Sequence, residues 1–119
     1  MTKTSHMRLK LWLQHENKTL IGYGRAHLLN KMEELGSLKK AAESFGMSYR
    51  AAWGRIKRTE AAMGFALLEV ADTKRKGCRL SPEGREIVEA FLAWHEDVHA
   101  YALNRAKNFP FFDNQGNLA

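Results

Sequence analysis

Cysteine is nearly absent from this chain. Cys78 is the only one among 119 residues, so no disulfide forms within the chain and no CxxC zinc site exists. Long apolar runs are also missing: the longest are a few residues, far below the roughly 20 needed to cross a bilayer. The N-terminal MTKTSHMRLK lacks the apolar core of a signal peptide. These absences predict a soluble, cytoplasmic protein with no membrane partner. There is no Gly-rich phosphate loop and no nucleophile beside a base, so neither an enzyme nor a bound cofactor is expected.

One short stretch does invite a catalytic reading. HEDVH at residues 95–99 has the two histidines and the glutamate of a zinc-protease helix. A catalytic zinc needs a third protein ligand and an open position, yet Arg105 stands where the extended motif would place its third histidine. His95 and His99 instead share a stripe with Val88, Leu92 and Ala102, as expected for side chains in a helix interface. No metal site is predicted, apart from an ion shared by two His pairs across a dimer axis.

What the chain does contain is a localised positive charge. The formal net charge is +6, and residues 39–79 hold ten basic and four acidic residues, which accounts for all of it. The remaining residues balance at nine of each sign. Excess confined to one stretch is the footprint of a polyanion partner, because each neutralised phosphate releases condensed counterions. With 45% apolar residues, the length suits one domain with its own core.

The pattern along the chain predicts a mainly α fold with a little β structure. RLKLWLQH (8–15) alternates with the period of a half-buried strand, Leu9, Leu11 and Leu13 on one face. ENKT supplies a turn, and Leu20 to Tyr23 a second short strand. From Arg25 the period becomes helical, with Leu28, Leu29, Met32 and Leu35 facing inward until Gly36. Ser37 then caps a second helix whose Leu38, Ala41, Ala42 and Phe45 face inward, ended by Gly46. Met47 fills the turn, and Ser48 caps a third helix with Ala52, Ile56 and Met63 inside. Two short helices across a Gly-containing turn are a helix-turn-helix signature, an ordinary αα-corner being the structural alternative. FALLEVAD, TKRKGC and RLS read as two strands around a basic loop, a wing. Ser81-Pro82-Glu83 opens a long last helix with two apolar seams. Ile87, Phe91, Trp94, Val98 and Tyr101 form one, and the stripe holding His95 and His99 the other. One seam suits the protein's own core and the first is assigned to a homodimer interface.

GSLKKAAESFGMSYRAAW, then Ile56, MGFALLEV, a basic wing and RLSPEG, resembles the winged helix-turn-helix of LysR-type regulators. SYRAAW is more similar to the ModE family of molybdate-responsive repressors. The resemblance spans residues 8–104. It implies a dimeric bacterial or archaeal transcription factor on inverted repeats near genes for molybdate or tungstate. Full-length ModE proteins carry C-terminal oxyanion-binding domains and often a glycine-rich wing; here the chain ends at Ala119 and the wing is TKRKGC. Any effector, molybdate or tungstate, would therefore bind elsewhere or act through a separate sensor protein.

On this reading residues 1–104 form the DNA-binding domain, with N-terminal hairpin and dimerisation helix, and residues 105–119 a tail. Tyr49, Arg50 and Trp53 are expected near base edges in the major groove, Arg50 to pair with guanine. Gly54 suggests close approach of backbone to DNA or to another helix. Ser37 and Ser48 offer helix-start amides to phosphates, supported by Lys39, Lys57, Arg55 and Arg58. Lys74, Arg75 and Lys76 of the wing are expected along the minor groove or its phosphates. The expected function is sequence-specific regulation through double-stranded DNA. The alternative is a winged-helix interaction module that recruits another protein through its apolar helix and FPFF tail.

Overall fold

The computed structural model describes residues 7–72 and 77–110. The chain forms β1 (Trp12–His15), β2 (Lys18–Gly22), α1 (Tyr23–Leu35), α2 (Leu38–Ser44), α3 (Tyr49–Met63), β3 (Leu68–Asp72), β4 (Gly77–Leu80) and α4 (Pro82–Ala106). The fold is mainly helical with two small antiparallel hairpins, as the periodicity predicts.

The N-terminal hairpin is shorter than the alternation suggests. Only the last four residues of RLKLWLQH pair, and the turn is made by Glu16 and Asn17, both at positive φ. That is the geometry of a two-residue type I′ turn, whose twist matches the flanking strands. β1 is exposed along its length, Leu13 included, while Ile21 of β2 is fully buried. A two-stranded ribbon laid on helices buries one strand more than the other, so equal burial of the Leu9, Leu11 and Leu13 positions does not occur. Tyr23, expected as strand, is the first residue of α1.

α1, α2 and α3 pack as the helix-turn-helix pattern requires. Leu28, Leu29, Met32, Leu38, Ala41 and Ala42 are buried together with Ala52 and Ile56. Ser37 Oγ accepts the Lys40 N–H and Ser48 Oγ the Ala51 N–H, each at 3.1 Å, so both expected caps are formed. Gly46 adopts φ 65°, and the Met47 N–H bonds back to the Ala42 carbonyl at 2.9 Å. Two expected core residues lie outside. Leu35, the last residue of α1, and Phe45 are each 41% exposed. α2 ends at Ser44, one residue before Phe45, so the helical period no longer aims that ring inward. It rests instead against His27, 5.2 Å between ring centres.

Buried Thr59 is a polar core residue that the apolar pattern does not reveal. Its Oγ1 donates to the Arg55 carbonyl at 3.1 Å and accepts from Arg25 Nη1 at 2.9 Å. After Gly64, Leu67 is buried, and the strand begins only at Leu68, so Phe65 stands outside it. Glu60 Oε2 accepts the Leu67 N–H at 2.7 Å, tying the end of α3 to the base of the wing.

The junction into α4 is tightly built. Ser81 Oγ accepts the Gly84 N–H at 2.9 Å and donates to the Ala66 carbonyl at 2.7 Å, and the Ser81 N–H reaches the Leu67 carbonyl at 2.9 Å. A Cβ on Gly84 would lie 2.4 Å from that same carbonyl oxygen, so only glycine permits this approach. Beyond the junction, α4 buries Val88 in the main core and Phe91 against Ile21 and Ala26. The molecule measures 56 × 33 × 21 Å, elongated by this 25-residue helix. Among the described residues no helix is long and apolar enough to cross a membrane.

Candidate nucleic-acid interface

α3 presents its polar and aromatic face away from Ala52 and Ile56. Tyr49 and Trp53, four residues apart, stack with ring centres 6.3 Å apart and planes 15° apart. Lys57, four further on, places its ammonium 4.5 Å from the Trp53 ring centre. Trp53 is 38% exposed, so it lies on the surface row and outside the core. Arg50 is exposed beside this row and, among the described residues, pairs with no carboxylate. A free guanidinium next to an aromatic row on a helix capped by Ser48 can donate to base edges or phosphates.

The remaining expected contacts divide by position. Ser37 and Lys39 sit at the start of α2, Lys39 and Lys40 exposed. Lys57 is also held 3.1 Å from Glu60 Oε1, so part of its charge is already matched. Gly54 has no helix close by: the nearest atom to an added Cβ is Arg58 Nη1 at 3.3 Å, the end of a flexible side chain. The helix-packing explanation of Gly54 therefore fails. Lys74, Arg75 and Lys76 lie outside the described residues, although the strands that carry their loop are paired from Leu68↔Leu80 to Asp72↔Gly77.

Arg55 belongs to a different surface from the one expected. It lines a cavity with Arg25 and Lys10 on the hairpin side of α3. Burial, then the charges of Arg58 and Arg55, holds the Arg25 guanidinium below its ordinary pKa. Arg25 and Lys10 are absent from the sequence-level site because they stand outside the basic stretch; position in space, not along the chain, joins them to it.

On α4 the expected interface seam is uneven. Phe91 is 3% exposed and belongs to the chain's own core, whereas Tyr101 is 67% exposed. Trp94 is exposed and meets the Phe91 ring edge-on at 5.6 Å, with Ile87 and Val98 half-buried. Beside them lies an open apolar groove of about 530 Å³ between the hairpin, the end of α3 and α4, lined by Leu13, Leu20, Phe65, Ile87 and Trp94 among others. His95 stacks on His99 at 5.9 Å and meets Tyr23 in a tilted contact at 4.3 Å. Among the described residues no group of three or more His, Cys, Asp or Glu side chains could hold a metal ion.

A helix-turn-helix with a two-stranded wing and an exposed aromatic and basic helix is a DNA-binding architecture. Residues 25–85 match the family model described as bacterial regulatory helix-turn-helix protein, lysR family. That is just over half of the chain, and the chain belongs to this family. Among solved structures it is similar to the crystal structure of VV2_1132, a LysR family transcriptional regulator, with a TM-score of 0.60 and 18% identity. The likeness covers 74% of this chain and 29% of that one. At this identity it shows the fold alone, and the chain spans less than a third of the matched protein's length. No curated protein matches the sequence.

Proposed function

We propose that this chain is a sequence-specific regulator that binds inverted-repeat operators as a homodimer. The observation that carries the reading is the preformed row Tyr49, Trp53, Lys57 beside the unpaired Arg50 on α3. In this reading Arg50 and Trp53 read bases, while Ser37, Lys39, Ser48 and the wing residues Lys74, Arg75 and Lys76 anchor phosphates and fix register. The exposed Trp94 and Tyr101 and the half-buried Val98 of the α4 seam meet a second copy, and Phe91 supports them from within. The ModE-like segment SYRAAW favours operators near genes for molybdate or tungstate. The domain would be residues 1–104, and the tail 105–119 begins inside the last turn of α4.

The test is fluorescence anisotropy of a labelled duplex from the region upstream of the coding sequence, against a scrambled duplex, at several salt concentrations. The expected result is a strong preference for the native duplex, with affinity falling steeply as salt rises. Weak, equal binding to both would defeat the reading. The apolar groove favours a second one, a winged-helix module that docks a protein partner, which would then come forward.

A further inference from the structure

The flank of α3 that faces the hairpin carries a charge cluster that the proposed base contacts do not use. Arg25, in the first turn of α1, crosses to α3, where its Nη1 donates to Thr59 Oγ1 at 2.9 Å and, more weakly, to the Thr19 carbonyl at 3.5 Å. Both acceptors are neutral. Arg55 and Arg58 approach closely enough for their charges to act on the Arg25 guanidinium. Among the described residues none of these three arginines forms an ion pair. A cavity of about 570 Å³ opens beside them, lined by Lys10, Trp12, Thr19, Tyr23, Arg25 and Arg55 with Leu9, Leu11, Gly22 and Gly24, and among the described residues its wall holds no acidic side chain.

Arg25 and Arg55 thus face one concave space while the charge of Arg58 acts on Arg25 from beside it, with no acidic side chain in the wall among the described residues, at a cost in mutual repulsion that an anion would remove. Guanidinium groups present paired N–H donors in a planar fork, which suits the oxygens of a phosphate-type group better than a halide. Lys10, its ammonium 5.5 Å from the Trp12 ring centre, adds a mobile point charge. No side chain caps α1 at Gly22, so the N–H groups of its first turn add donors to a wall that the basic side chains already define.

We infer that this cavity is a binding site for a tetrahedral, phosphate-type oxyanion, held by Arg25, Arg55 and Lys10. Such a group comes from either of two sources, the DNA backbone or a free phosphate-bearing small molecule. The first source rests on the regulator reading; the second does not.

The experiment titrates the whole chain with inorganic phosphate, against chloride at matched ionic strength, and follows backbone amides by NMR. It is repeated with Arg55→Ala, Lys10→Ala and, as a distant basic control, Arg105→Ala. Arg25 is left intact because its bond to Thr59 ties α1 to α3. Saturable shifts confined to the cavity wall, weakened about tenfold by Arg55→Ala and unchanged by Arg105→Ala, establish the site and a small-anion source. If free phosphate moves nothing, duplex titrations decide. Loss of affinity for all sequences in Arg55→Ala, with the salt slope reduced by about one, establishes the site with a backbone phosphate as its occupant. Scattered or absent phosphate shifts, with Arg55→Ala indistinguishable from Arg105→Ala on DNA, overturn the inference. The phosphate arm contains no DNA, so a failed operator experiment leaves it standing.

Discussion

Lys57 holds its ammonium 4.5 Å from the centre of the Trp53 ring. The same ammonium lies 3.1 Å from Glu60, and the Trp53 ring is stacked in turn by Tyr49. Each member of this row is positioned by its neighbour before any partner arrives, which lowers the side-chain ordering cost of binding. The charge of Lys57 is already partly neutralised by Glu60, so on the proposed reading Arg50 and Trp53 should carry more of the discrimination.

Trp53→Ala is therefore expected to erode the preference for the native duplex by about 1–3 kcal/mol. Lys57→Ala should change affinity less and leave the preference intact. Anisotropy with native and scrambled duplexes measures both. Equal loss of preference in the two variants would count against a reading role for Trp53.

Arg50→Ala and Lys74→Ala should separate reading from anchoring. The first should lose specificity, with a modest effect on scrambled DNA. The second should weaken all duplexes alike and flatten the salt slope by about one unit. Salt titrations of both variants on both duplexes check this, and an equal loss of specificity would refute the division.

Gly84→Ala should destabilise the fold by about 1–3 kcal/mol. The added methyl would meet the Leu67 carbonyl at 2.4 Å, a backbone atom that also accepts the Ser81 N–H and cannot swing aside. Urea unfolding followed by circular dichroism reads the change, and an unaltered midpoint would show that the junction can spread at little cost.

Glu33→Ala should cost a similar amount. Glu33 Oε2 accepts the Leu80 N–H at 2.6 Å while its other oxygen pairs with Arg85. Removing the carboxylate leaves the N–H of a buried residue without its acceptor, worth about 1–3 kcal/mol. Glu33→Gln keeps an acceptor for Leu80 and should recover part of the loss in the same unfolding assay.

Val98→Glu with Tyr101→Glu should shift a dimer toward monomer without unfolding it, since neither side chain belongs to the buried core. Sedimentation at micromolar concentration reports the mass. A wild type that already sediments as a monomer would remove the dimer from the proposed function.

Much of this fold was legible because local signals agreed. Ser37, Gly46, Ser48, Ser81 and Pro82 mark helix ends by capping chemistry that depends on few neighbours, and each stands where its role requires. Periodicity failed where an element stopped early or lay at an edge: Phe45 follows the last turn of α2, Leu35 ends α1, and Leu13 belongs to an uncovered strand. Phe91 shows a different limit. Its spacing places it on a helix seam but cannot say whether that seam meets the chain's own hairpin or another molecule. The candidate site divides in the same way. Arg50 and Trp53 follow from the helix phase, whereas Arg25 and Lys10 join Arg55 only once the hairpin folds against α3.

The absence of a side chain at Gly84 has a mechanical consequence. With α4 seated directly on the Leu67 carbonyl and Glu33 bracing Leu80 and Arg85 from α1, the root of the long helix and the base of the wing form a stiff joint. A torque applied at the far end of α4, near Tyr101, would not be spent in bending at Ser81. It would be delivered as a tilt of the β3–β4 hairpin relative to whatever that hairpin touches.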